Sequence, residues 1–228
     1  MAFGSNQNSG VSKKAYAFKI RQKRDGKEIP PFFEVKERDE ETKKWTIQSN
    51  DGSVTFLKGD LVNIESKENE WNGEVIKSVS ATFETEDEIY FLTINSSFLG
   101  RNLINGIVNL PSYKDVGISL YMSKPKEEGG KSWPSVALRQ GADEDLIMGK
   151  YRYDELPKPE ETKYKGTILK DYTAAEDLLR KEVDSISEAV SEFGKNRRNS
   201  EGSATTASES SEQRSSSVED NIDEDVPF

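Results

Sequence analysis

Seven cations, Lys13, Lys14, Lys19, Arg21, Lys23, Arg24 and Lys27, fall close together near the start of the chain against a single acid, Asp25. Tyr16 and Phe18 are interleaved with them. Rings beside cations suit an unpaired polynucleotide strand. Each base stacks on a ring for about 1–3 kcal/mol, and each cation neutralises a phosphate and releases a counterion. A duplex hides its base faces, so such a surface favours single strands. A period of two puts Lys14, Tyr16 and Phe18 on one face of a strand and Ala15, Ala17 and Lys19 on the other. Trp45 follows Lys43 and Lys44 at a strand start, and Tyr121 and Trp133 flank a connection carrying Lys124, Lys126 and Lys131. The candidate contacts are therefore Lys13, Lys14, Tyr16, Lys19, Arg21, Lys23, Arg24, Lys44, Trp45, Tyr121, Lys124, Lys131 and Trp133, with Arg101 at the start of a short helix as a further one. The competing role for Tyr16 and Phe18 is burial in a core. Trp71 stands among Glu68, Glu70 and Glu74, which repel phosphate.

Other chemistry has few residues to work with. The chain contains no cysteine and no histidine, which removes disulfides, thiolate nucleophiles, Cys/His zinc sites and imidazole catalysis. Gly129-Gly130-Lys131-Ser132 resembles the end of a phosphate-cradling loop, but the first glycine would fall at Pro125, and Trp133 and Pro134 stand where a helix is required. The acids Glu84, Glu86, Asp87 and Glu88, and again Asp143, Glu144 and Asp145, are alternative ligands for a magnesium pair that cleaves phosphodiesters. Such sites draw single carboxylates from separate strand ends, whereas consecutive acids read as solvated turns. The expectation is a protein without enzymatic activity, metal or cofactor.

The 228 residues carry a net charge of -10, with 33% hydrophobic and 32% charged side chains. Mean hydropathy is -0.79. Part of the chain is therefore expected to stay unfolded. No apolar run approaches the roughly 18 residues needed to span a bilayer, and residues 1–10 lack the marks of a signal peptide, so the chain reads as cytoplasmic. Asn95-Ser96-Ser97 is then a chance glycosylation match.

Residues 1–12 read as a flexible N-terminus and 13–170 as the main domain. Its strand-like runs are about 15–20, 32–36, 44–48, 61–66, 74–83, 89–95, 116–122 and 135–140, with Asn50-Asp51-Gly52 and Asn72-Gly73 as turn signals. Leu99, Leu103, Ile107 and Leu110 share one helical face ended by Pro111. Short strands, one intervening helix and a closing hairpin predict a mainly β fold. The form expected is a five-stranded barrel of the oligonucleotide/oligosaccharide-binding (OB) type with extra strands; a β-sandwich is the alternative. Residues 171–194 predict an amphipathic helix. Thr173-Ala174-Ala175-Glu176 is a capping box, Leu179, Val183, Ile186, Val190 and Phe193 form its apolar stripe, and Gly194 is its stop. The stripe either packs on the domain or forms a short self-association seam, as in a homodimer. Residues 195–218 are serine-rich and read as a disordered linker. Residues 219–228 set five acids just before Val226, Pro227 and Phe228.

A β-domain, a polar linker and an acidic tip ending in Pro-Phe together resemble bacterial and phage single-stranded DNA-binding proteins. Asp223-Glu224-Asp225-Val226-Pro227-Phe228 carries the likeness. No motif in residues 13–170 matches the bacterial members, so the chain looks more like a divergent phage version. The resemblance implies coating of single-stranded DNA in replication, recombination and repair, in the host cytoplasm if phage-encoded. It also implies recruitment of polymerases, helicases or primases through Asp223 to Phe228. A protein that displays the acidic tail without binding nucleic acid is the rival reading, and an RNA-binding role of the same design remains open.

Overall fold

The computed structural model describes residues 12–20, 22–24, 27–125, 130–141 and 143–204. Nine strands form one sheet in the order β11-β10-β9-β6-β7-β8-β1-β4-β5. These are β1 (Ser12–Lys19), β4 (Phe32–Arg38), β5 (Trp45–Ser49), β6 (Phe56–Trp71), β7 (Glu74–Glu84), β8 (Glu88–Asn95), β9 (Val116–Met122), β10 (Pro134–Gln140) and β11 (Asp145–Ile147). Two separate hairpins, β2 (Lys23–Arg24) with β3 (Lys27–Glu28) and β12 (Glu160–Tyr164) with β13 (Thr167–Asp171), complete the strands. Helix α1 (Phe98–Ile107) lies between β8 and β9, and α2 (Thr173–Ala204) follows β13.

The sheet is organised by β6. Its first four residues pair with β9, and from Asp60 onward it pairs with β7. The exchange of partners coincides with a bulge at Val62, where two residues oppose one and the strand bends. The hairpin from β6 into β7 turns on Asn72 and Gly73, both at positive φ, as a two-residue turn matching the twist of its strands requires. The Ser97 side chain accepts the Gly100 N–H to start α1. Gly100 admits that helix against β8, because a Cβ there would lie 2.0 Å from the Asn95 carbonyl oxygen.

The sheet does not close into a barrel. Pairings β6–β7, β7–β8, β6–β9 and β9–β10 are formed, but the free edge of β8 is taken by β1, in parallel. The chain just before β6 reaches toward both halves: Phe33 N–H donates to Val54 O at 2.7 Å and Leu120 N–H to Thr55 O at 2.8 Å. One apolar core results, with Phe18, Phe33, Leu61, Ile64, Phe83, Leu92, Ile118, Leu103 and Leu179 among its members.

Helix α2 is longer than its sequence pattern indicates. It runs through Gly194 and takes in residues 195–204 of the expected linker. Gly194 is a contact rather than a stop, since a Cβ there would lie 2.6 Å from the Val62 carbonyl oxygen. One turn later Arg197 Nε donates to Asp60 Oδ2 at 2.8 Å and its Nη1 to Glu84 Oε2 at 3.1 Å, while Arg198 Nε reaches Glu84 Oε1 at 3.1 Å. These ion pairs hold the additional turns. The capping box is not formed either: Asp171 accepts the Thr173 N–H at 2.8 Å, and Glu176 instead receives Arg101 Nη1 at 2.8 Å. The Arg101 guanidinium lies 3.9 Å over the Tyr172 ring. The apolar stripe packs on the domain, with Leu179, Val183 and Val190 fully buried.

Arg197→Ala leaves the buried Glu84 and the partly buried Asp60 short of a guanidinium and is expected to cost about 3 kcal/mol. Leu179→Ala opens a cavity in the core and is expected to cost about 2–5 kcal/mol. Both are read as lower urea midpoints with an unchanged slope.

Candidate nucleic-acid interface

Alternation along β1, together with its two neighbours, settles which of its side chains face outward. Ala15 pairs with Phe91 on β8 and with Lys36 on β4, and Lys36 pairs with Ile47 on β5. The adjacent positions, Tyr16, Leu92 and Val35, point into the core. The face opposite the core therefore carries Lys13, Ala15, Ala17 and Lys19 from β1, Lys36 and Arg38 from β4, Trp45 and Ile47 from β5, and Phe91 and Thr93 from β8. Thr82 on β7 pairs with Phe91 and extends this face.

Trp45 and Phe91 meet edge to face across this surface, with ring centroids 6.3 Å apart and planes at 87°. Ala15, paired with Phe91, is buried at this place and adds no exposed surface of its own. Lys13 is exposed at the margin. Lys19 and Lys36 share Glu34, at 3.1 and 3.9 Å, so one carboxylate stands against two ammonium groups. The surface thus offers two rings and a local excess of cations. These are the elements on which a base stacks and a phosphate is neutralised.

On the other arm of the sheet, Phe56, Ser119 and Tyr121 lie on the same side of β6 and β9, and Tyr121 pairs with Ser135. The ladder continues past the strands, where Ser123 N–H donates to Trp133 O at 2.9 Å and Trp133 N–H to Ser123 Oγ at 3.2 Å. Trp133 is 55% exposed and Tyr121 45%. Lys124 and Lys131 are exposed beside them. Residues 126–129 of this connection lie outside the described residues.

Two sequence candidates belong to the other side. Tyr16 packs edge-on against Phe33 at 5.8 Å and Tyr90 at 5.3 Å, and burial pushes its hydroxyl pKa up. Lys14 is paired with Glu88, which also accepts the Tyr90 hydroxyl. Tyr16 was expected to be available for stacking, but the core needs a ring where β1, β4 and β8 meet. Phe18 lies in the same core. Lys23 and Lys44 are exposed, Lys44 immediately before Trp45. Arg21, the side chain of Arg24 and the segment Asp223 to Phe228 lie outside the described residues. Phe91, Lys36 and Arg38 are members of the surface that the sequence reading missed. Strand alternation separates Phe91 from Leu92, but only the parallel pairing of β1 with β8 brings it beside Trp45.

Two acids of the first acidic cluster are engaged elsewhere, Glu88 by Lys14 and Glu84 by two arginines. Glu84 is buried and held by Arg197 and Arg198, and among the described residues no three acidic side chains converge as a metal site. No family model, no curated protein and no solved structure matches the chain.

Burial opposes ionisation of Glu88, but hydrogen bonds from Lys14 and Tyr90 outweigh it and hold its pKa below the usual glutamate value. A depressed carboxylate stabilises the fold above its unfolded pKa, and that contribution is lost as pH falls through the folded value. Thermal melts between about pH 5 and pH 3 are expected to fall less steeply for Glu88→Gln than for the unmodified chain.

Proposed function

We propose that this protein coats single-stranded DNA without sequence preference and, through Asp223 to Phe228, recruits replication or recombination proteins. The observation that carries the reading is the shared outer face of β5, β4, β1 and β8, where Trp45 and Phe91 stand beside Lys13, Lys36 and Lys19. Tyr121, Trp133, Lys124 and Lys131 extend the contact on the β9–β10 arm. Every base has a stackable face, so this surface has no means of preferring one sequence.

The order β6-β7-β8-α1-β9-β10, with β6 paired to both β7 and β9, supports reading this part as an OB-type barrel left open, with β1 occupying the edge of β8. The chemistry is binding rather than turnover. Lysines supply the counterion-release term, rings supply stacking, and the acidic segment steers toward basic surfaces on partner proteins.

Intrinsic tryptophan fluorescence tests the proposal. A single-stranded oligonucleotide is expected to quench strongly, the matching duplex weakly, and added salt to reduce both. Trp45→Ala is expected to weaken single-strand affinity roughly 5- to 150-fold, the equivalent of one stacked base. Lys13→Ala is expected to lower the slope of log affinity against log salt by roughly 0.7. Absence of quenching together with absence of a mobility shift, in the full chain and in a form lacking residues 219–228, overturns the reading in favour of an adaptor. An RNA oligonucleotide bound more tightly than its DNA counterpart moves it to RNA.

A further inference from the structure

The hairpin β12–β13 shares no strand with the nine-stranded sheet, and all ten of its residues are exposed. Tyr164, Ile168 and Leu169 are each more than half exposed. A lone two-stranded hairpin is marginal in water and gains independent stability from a third strand or a packing partner. Among the described residues no further strand pairs with either of its long edges.

The geometry of the turn shows what the β12 edge offers. Lys165 and Gly166 both have positive φ, so the connection is a tight two-residue turn between the partners Tyr164 and Thr167. In such a hairpin the pair next to the turn is hydrogen-bonded, and hydrogen-bonded pairs alternate along the ladder. Tyr164, Thr162 and Glu160 therefore direct their backbone groups toward β13. Glu161 and Lys163 direct theirs outward.

We infer that this outward edge pairs with itself: two copies of the chain join β12 to β12, antiparallel about Thr162, in a four-stranded sheet. A two-fold axis allows registers centred on Glu161, Thr162 or Lys163; the first and last set like charges opposite each other, and the one about Thr162 sets each Glu161 opposite the Lys163 of the other copy. Both residues have outward backbone groups, so these are hydrogen-bonded pairs and Thr162 faces Thr162 in the closer pair without hydrogen bonds. Charge complementarity is the argument for a second copy. Glu161 already holds Lys170 of its own hairpin at 3.2 Å, and the pairing places it between that ammonium and a second one. The β13 edge has no such match, since a two-fold about Leu169 sets Ile168 against Lys170. Lysine on an open edge deters unrelated strands, and here the glutamate two residues away readmits one partner, the same edge inverted. The pairing is independent of nucleic-acid binding.

The chain has no cysteine, so one introduced thiol is the only one present. In full-length protein under mild oxidation, Thr162→Cys is expected to give a covalent dimer on a non-reducing gel, because facing Cα atoms in such a pair lie about 4.5 Å apart. Leu169→Cys is expected to stay monomeric, since three strand spacings, about 14 Å, separate the two copies of that residue. Adding Lys163→Glu to Thr162→Cys is expected to abolish the dimer while circular dichroism stays unchanged, as Glu161 then faces a like charge and its bond to Lys170 remains. Dimer from both cysteines alike, from neither, or from Thr162→Cys regardless of Lys163→Glu overturns the inference.

Discussion

Two carboxylates, Asp60 and Glu84, lie beside each other where β6 exchanges one partner strand for another, and they are tolerated there because Arg197 bridges them. Glu84 is buried and Asp60 partly so, neighbouring anions of this kind are costly without a counter-charge, and the cation that meets both arrives from outside the sheet. It comes from the end of a 32-residue helix. The helix must consequently cross from Tyr172 beside α1 to the bulge at Val62, and along the way it lays Leu179, Val183 and Val190 on the core. The ion pairs, the glycine contact and the buried stripe act as one constraint that relates the start of β6 to the end of β7 and both to α2.

The same economy shapes β1. Its inward residues are consumed by the fold: Phe18 and Tyr16 pack on Phe33, and Lys14 is neutralised by Glu88. Its outward residues are small or cationic, and β4, β5 and β8 place Lys36, Trp45 and Phe91 around them. Stability and the candidate interface therefore draw on alternate residues of one strand. A substitution on one face leaves the chemistry of the other largely in place, apart from Glu34, whose two lysine contacts tie the outer surface to a buried carboxylate.

Local structure was legible wherever short-range chemistry decides it. Asn72-Gly73 marked the β6–β7 hairpin, alternation marked β9 to the residue, and the spacing of Leu99, Leu103 and Ile107 marked α1. What escaped depends on partners distant in sequence. Gly194 has the signature of a helix stop, and only the backbone of Val62 explains why the helix continues. Period two divided β1 correctly into two faces without saying which one the core would take, so Tyr16 was counted as available. Phe91 carries no local sign that it stands beside Trp45. The β12–β13 hairpin, with glutamates, lysines and threonines predominating, lacks the apolar alternation by which strands are recognised.

The parallel pairing of Ser12 with Glu88 is the longest-range strand contact in the sheet, and it determines when the candidate interface comes into being. Loop closure of that length brings no return until β6, β7 and β8 already present an edge to dock on. A nascent chain therefore exposes its lysine-rich segment early, as a charged peptide without a platform. The rings and cations become one surface only when the first strand made is fitted beside one made much later. Any affinity that depends on their combination is a property of the completed fold, absent from every intermediate that lacks β1.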